Sequence, residues 1–135
     1  MKKILPIIVG MTFALTTFTT SAGEFGDLHA TVMKARDSLV TLVKNENKRG
    51  PEQQKLVRDS ADAVSDMIAG MRAPRGKEAQ FNEMVVNWVA FKNTRRNQLV
   101  PLILAGKQAE GEKIAMGVQK VRLKKVLSIC KVLDK

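Results

Sequence analysis

The chain has 135 residues, the length of a single domain, and its 23 lysines and arginines against 13 acidic residues give a formal net charge of +10. Tyrosine is absent and aromatic residues make up only 4% of the chain, while helix-favouring residues fill most of it. The charge favours anionic partners. Basic residues do not alternate with base-stacking aromatic ones, however, so we expect no nucleic-acid partner.

The first 22 residues have the pattern of a signal peptide. Two lysines precede an apolar run from Ile4 to Leu15, and small residues then place a cleavage site after Ala22. The run is shorter than the roughly 20 residues of a membrane span, although an uncleaved anchor stays open. We therefore expect a periplasmic protein with a cleaved signal peptide, residues 1–22, and one folded domain, residues 23–135.

Two amphipathic helices are predicted in the first half of this domain, over residues 24–48 and 51–72. Apolar residues recur in both at spacings of three and four, which places them on one face. Gly50 and Pro51 separate the helices, because proline cannot continue a helical hydrogen-bond ladder. The predicted core positions are Phe25, Leu28, Val32, Ala35, Leu39 and Val43, followed by Leu56, Val57, Ala61, Val64, Met67, Ile68 and Met71.

A third helix is predicted over residues 77–105 and a fourth over residues 108–133. Pro101 predicts a kink or an early end in the third helix, and Gly106 is placed to cap it. The predicted core positions are Phe81, Met84, Val85, Trp88, Phe91, Leu99, Leu102 and Ile103, followed by Ile114, Val118, Val121, Leu123, Val126, Leu127, Ile129 and Leu133. Four such helices with short loops predict an all-α fold, an antiparallel up-down-up-down four-helix bundle.

The passage from the third helix into the fourth has a distinctive order. It reads WVAFKNTRR at residues 88–96, LVPLILAGK at residues 99–107, and then Ala109-Glu110. This order resembles the four-helix-bundle sensory domain of methyl-accepting chemotaxis receptors. The resemblance implies a sensory-type module that binds a ligand or partner. We expect no second membrane span or signalling region after Lys135, and therefore a free-standing module.

Size, export and topology also resemble the periplasmic bundle cytochromes. The c-type members need Cys-x-x-Cys-His, but this chain has one cysteine. The b-type members use a methionine and a histidine on different helices. Met33 and the single histidine, His29, lie one turn apart on one helix and cannot ligate haem from opposite sides. We expect no cofactor, and an electron-transfer bundle or a chaperone-like partner protein remains an alternative.

Catalytic and metal-binding motifs are missing from the sequence. One histidine cannot build a catalytic triad or a His-rich metal site, and there is no Gly-rich phosphate loop or Cys-x-x-Cys pair. We therefore predict neither an enzyme nor a metal site. Cys130 is interpreted as a buried small hydrophobe, with an intermolecular disulfide as the alternative.

Cations inside the apolar stripes suggest a ligand site. A count of 100° per residue places four of them inward and at similar heights in the bundle: Arg36, Lys92, Arg95 and Arg122. They predict a mid-bundle pocket for an anion such as a carboxylate. The alternative is that these long side chains extend to the flanks and pair with Asp37, Asp59 or Asp62.

A second group of cations follows the outer side of the fourth helix. Its members are Lys113, Lys120, Lys124 and Lys131, at spacings of seven, four and seven. This stripe predicts a docking surface for an acidic protein or a membrane surface. A solvated helix face explains it equally well. A homodimer is also left open.

Overall fold

The computed structural model describes residues 23–134, so the predicted signal peptide lies outside the described residues. Between these limits the chain forms four helices and no strand. They are α1 (Glu24–Lys44), α2 (Pro51–Ala69), α3 (residues 78–104) and α4 (residues 108–133). The prediction of an all-α four-helix bundle is confirmed. None of the helices in residues 23–134 has the length and hydropathy needed to span a bilayer.

The connection between α1 and α2 differs slightly from the prediction. α1 ends at Lys44, and a 3₁₀ turn, Glu46–Lys48, takes the place of its predicted last turn. This polar segment buries no residue, so no packing holds it in the helix. Arg49 then reaches back and donates to the carbonyls of Leu42 (2.8 Å) and Val43 (2.6 Å). It thereby satisfies acceptors that the end of α1 leaves free.

The loop between α3 and α4 follows from its glycine. Gly106 has φ of +80°, a left-handed conformation that glycine adopts without steric cost. The N–H of Lys107 donates to the carbonyl of Leu102, and the N–H of Gly106 donates to that of Ile103. This pair of bonds is the Schellman motif, and it confirms Gly106 as the helix cap.

Hydrogen bonds at both ends show how α1 lies against α4. The N–H of Gly26 donates to Asp134 Oδ1 (3.0 Å) at one end of the bundle. At the other end Gln108 Nε2 donates to the carbonyl of Val43 (2.9 Å). Residue numbers therefore rise along α1 as they fall along α4, which is the contact pattern of antiparallel neighbours.

The core is centred on Trp88. This side chain is 1% exposed, stacks on Phe91 with ring centroids 5.4 Å apart, and donates from Nε1 to Ser65 Oγ at 3.1 Å. Its predicted burial is confirmed. The other fully or almost fully buried large side chains are Phe25, Leu28, Val32, Leu42, Val64, Met84, Leu99, Ile103, Gln119, Val126 and Cys130.

α3 contains a π-helical turn, Arg95–Leu99, and continues through Pro101 to Leu104. Of the two predicted alternatives, the early end at Pro101 is excluded, and the irregularity of the helix lies in the turn directly before the proline. In a regular α-helix the ring of Pro101 would clash with the carbonyl oxygen of the residue four positions earlier, Asn97. The wider turn includes Asn97, and the N–H of Val100 donates to the carbonyl of Arg95.

α4 contains a second π-helical turn, Ala115–Gln119, in which Gly117 departs from helical geometry with φ of −97° and ψ of −109°. An extra residue in a turn rotates the following side chains by about 100°. Val118 and Val121, both predicted to be core residues, are 45% and 66% exposed. That prediction is wrong because regular periodicity was continued across the π turn. Leu56 of α2 is also exposed, since the buried face is set by its neighbour Val57.

Candidate functional site

Arg95, the innermost of the four predicted ligand-binding cations, lies between α2 and α3. It is 4% exposed, and its Nη1 donates to the carbonyl of Val57 at 3.2 Å. Its Nε is buried and has no hydrogen-bond partner among residues 23–134. Burial lowers the pKa of Arg95, because a guanidinium removed from water loses solvation; the charge of Asp62 opposes this effect.

Lys92 lies one turn before Arg95 and reaches the flank of the bundle. Its Nζ is 2.8 Å from Asp62 Oδ1 and donates to Ser65 Oγ at 2.9 Å. The hydrogen bond from Lys92 lowers the pKa of Asp62. This arrangement matches the alternative interpretation, in which an inward cation pairs with an aspartate of the neighbouring helix.

Arg122 belongs to a second interface, that of α3 with α4. Its Nη1 donates to Thr94 Oγ1 (2.8 Å), to Gln119 Oε1 (3.1 Å) and to the carbonyl of Ala90 (3.3 Å). Gln119, which is buried, donates in turn to the carbonyl of Phe91 at 2.9 Å. The guanidinium of Arg122 is therefore bound to protein acceptors of this helix pair.

The remaining cation, Arg36, is exposed on α1, and its one ion pair among residues 23–134 is a 3.4 Å contact with Asp37. The structure thus does not bring Arg36, Lys92, Arg95 and Arg122 into one mid-bundle pocket. Lys92, Arg95 and Arg122 each reach acceptors on a neighbouring helix, whereas Arg36 contacts its own, so similar height along the bundle does not imply a common direction. Of these four cations, Arg36 is the one that borders a sizeable cavity.

That cavity lies between α1 and α4, and the side chains of α3 form its inner end. Its volume is about 540 Å³, which is within the range of small-molecule sites in proteins. The apolar side chains that face it come from three helices: Leu39, Val43, Phe91, Leu99 and Leu123. Phe91 and Leu99 are almost fully buried core residues, so the floor of the cavity is formed by the edge of the core.

Charged side chains surround the mouth of the cavity. Arg36 and Lys44 lie on the α1 side, and Lys120 and Glu112 lie on the α4 side. Among residues 23–134 neither lysine has an ion pair. Glu112 accepts a hydrogen bond from Gln108 Nε2 at 2.8 Å. Three cations against one engaged carboxylate make the mouth positive.

Both π-helical turns border the same cavity. Leu99 ends the turn of α3, and Ala115, Met116 and Gln119 belong to the turn of α4. Turns of this kind are frequent at functional sites. Sequence reasoning missed this site, because it assumed regular helical periodicity through both π turns.

The predicted lysine stripe of α4 is interrupted by the π turn. Lys120, Lys124 and Lys131 follow the turn and are exposed. Lys113 precedes it, so the extra residue rotates Lys113 by about 100° from the line that regular spacing predicts. Lys120 borders the cavity and is therefore the member of the stripe that also belongs to the candidate site.

The residues considered as haem ligands, His29 and Met33, lie on the same helix. His29 and Met33 are half-buried on α1, one turn apart. Within residues 23–134 no three His, Cys, Asp or Glu side chains are grouped so that they could hold a metal ion.

Cys130 is fully buried, as the sequence interpretation favoured, and its Sγ is 3.7 Å from Met84 Sδ. Burial, with a smaller contribution from the charge of Asp134, raises the pKa of this thiol to about 11. The thiol is therefore neutral at neutral pH and inaccessible to a second chain in the folded state.

The raised pKa of Cys130 predicts alkaline instability. The folded protein favours the protonated thiol more strongly than the unfolded chain does. The resulting stabilisation of the fold is fully present below the unfolded pKa of 9.0 and is lost as pH rises towards about 11. Wild type should lose roughly 2–3 kcal/mol more than Cys130→Ala between pH 8 and pH 11. Urea unfolding of both proteins under reducing conditions measures this difference. Equal losses would show that the thiol ionises in the folded protein as it does in water.

Comparison of the chain with protein-family models, with curated proteins and with solved structures gave no match. The likeness to chemoreceptor sensory domains therefore rests on the sequence motifs of residues 88–110.

Proposed function

We propose that the protein is a non-enzymatic binding or sensory-type bundle of the periplasm, and that it binds a small anionic ligand between α1 and α4. The observation that carries the proposal is the cavity of about 540 Å³ with an apolar interior and three cations at its mouth. Pockets of this size that combine apolar walls with a few charged groups are typical ligand sites. The anion-binding group differs from the one predicted, since only Arg36 is common to both.

The charges at the mouth favour an anion. Arg36 makes only a 3.4 Å contact with the adjacent Asp37, so little holds its guanidinium away from a ligand. Lys44 and Lys120 contribute positive charge from opposite helices. The net positive charge of the whole chain also attracts anions over a longer range.

A sensory role is supported by the position of the π-helical turn in α4. A ligand in the cavity contacts Ala115 and Met116 of this turn, which also contains the non-helical Gly117. Ligands shift a conformational equilibrium to the extent that they contact its states differently. The turn is the least regular part of α4 and lies directly against the ligand.

Thermal and urea melts with a panel of small organic acids test the proposal. A bound acid at a hundredfold excess over its dissociation constant should raise the free energy of unfolding by about 2.7 kcal/mol. The double variant Arg36→Met, Lys120→Met should lose this stabilisation, because the mouth loses two of its three cations.

Arg75→Met is the matched control, since Arg75 is an exposed cation in the α2–α3 loop, at the end of the bundle away from the cavity. It should retain the full effect. The proposal fails if no acid stabilises the protein, or if the double variant and the control respond alike.

A further inference from the structure

We infer that the ligand is an amphipathic monoanion, a carboxylic acid with a hydrocarbon body of medium length. Its body would lie in the cavity between α1 and α4, and its carboxylate would lie among Arg36, Lys44 and Lys120. This inference rests on the proposed function and adds the chemical class of the ligand.

The inner part of the cavity is suited to hydrocarbon. Its floor is formed by Leu39 and Val43 of α1, Phe91 and Leu99 of α3 and Leu123 of α4. A polar group placed against these side chains would lose its hydration without gaining a hydrogen bond, which is costly. An apolar body instead gains free energy by leaving water.

The one buried polar side chain that borders the cavity does not change this conclusion. Gln119 is 2% exposed, and its Nε2 already donates to the carbonyl of Phe91. Its Oε1 accepts from Arg122 Nη1. Both ends of the amide are therefore engaged within the α3–α4 interface, so a second polar group of the ligand has no ready partner at this depth.

The arrangement of charges favours a ligand with a single charged end. A guanidinium such as that of Arg36 binds a carboxylate through charge-assisted and often bidentate hydrogen bonds. All three cations lie at the mouth and none lies among the apolar side chains, so a second anionic group on the body of the ligand would lose its hydration without gaining a partner. A monocarboxylate therefore fits the site better than a dicarboxylate.

The volume sets the length of the body. A volume of about 540 Å³ lies within the range of small-molecule sites, so a ligand on the order of ten non-hydrogen atoms fits with room to spare. Straight-chain acids between butanoate and decanoate span this size.

Isothermal titration calorimetry with this series tests the inference. Each added methylene that enters the cavity should tighten binding about fourfold, until the cavity is full. Octanol should bind about 10–100-fold more weakly than octanoate, because it lacks the charge-assisted hydrogen bonds. Arg36→Met should reduce the affinity for octanoate without affecting octanol, and Arg75→Met should change neither.

Filling the cavity supplies a second readout. Ala115→Phe should abolish the dependence of affinity on chain length, because Ala115 borders the cavity and the larger side chain would occupy it. If circular dichroism shows that this variant does not fold, Met116→Trp replaces it. Met116 also borders the cavity but is 62% exposed, so the fold tolerates a larger side chain there.

Four results would overturn the inference. Binding that depends on charge but not on chain length would leave the proposed function standing and reject the hydrocarbon body. A chain-length dependence unchanged in the cavity variants would place the acid elsewhere. A dimer in sedimentation that Met116→Lys dissociates would show that a second copy covers the cavity. If no acid in the series binds, the proposed function and the inference fail together.

Discussion

Replacing Trp88 with alanine is expected to lower the free energy of unfolding by about 3–5 kcal/mol, through lost apolar burial and the cavity left behind. The indole lies among core side chains of the bundle and is 1% exposed. The substitution also removes the stacking on Phe91 and leaves Ser65 Oγ without the Nε1 donor. Trp88 is the largest fully buried side chain among residues 23–134.

Urea unfolding of wild type and variant measures this loss. Val86→Ala is the matched control, because Val86 lies on the same helix, two residues earlier, and is 66% exposed. Its effect should stay within about 0.5 kcal/mol. A loss below about 1 kcal/mol for Trp88→Ala would contradict the burial of the indole.

Replacing Arg95 with methionine is expected to raise the free energy of unfolding by about 1–3 kcal/mol. The guanidinium is almost fully buried, its Nε has no partner among residues 23–134, and no carboxylate lies within ion-pair distance of it in this range. Burial therefore costs solvation that the hydrogen bond to the carbonyl of Val57 and the charge of Asp62 offset only in part. Methionine occupies a similar volume without that cost.

Thermal and urea melts of Arg95→Met decide the sign of this effect. Arg96→Met serves as the control, since Arg96 is the neighbouring cation and is exposed. It should change stability by no more than about 0.5 kcal/mol. A net loss in Arg95→Met would mean that the contact with Val57 outweighs the cost of burial, and that Arg95 is a structural residue of the α2–α3 interface.

The variants Arg95→Met and Arg36→Met separate the candidate site from the core. Arg95 does not border the cavity between α1 and α4, so Arg95→Met should leave the binding of organic acids unchanged. Arg36→Met should weaken the binding of organic acids. It should have little effect on stability, because the ion pair of Arg36 with Asp37 is exposed. Measuring both properties in both variants therefore distinguishes cations that bind from cations that are merely buried.

The amino-acid sequence by itself determined the class of fold and much of the core. Spacings of three and four identified the four helices, and the burial of Trp88 followed from the stripe of α3. The helix start at Pro51 and the cap at Gly106 were also predictable, because these residues restrict or extend the backbone conformations open to the chain. Such local preferences act within one segment and need no knowledge of its neighbours.

Only the tertiary structure decided where the cations point and where the cavity lies. A helical wheel assumes 3.6 residues in every turn, and the π turns at Arg95–Leu99 and Ala115–Gln119 break that assumption. They turn Val118 and Val121 outward. The direction of a long cationic side chain depends on which neighbouring helix offers an acceptor, as Asp62 does for Lys92. A cavity is a property of three packed helices, and no single helix pattern contains it.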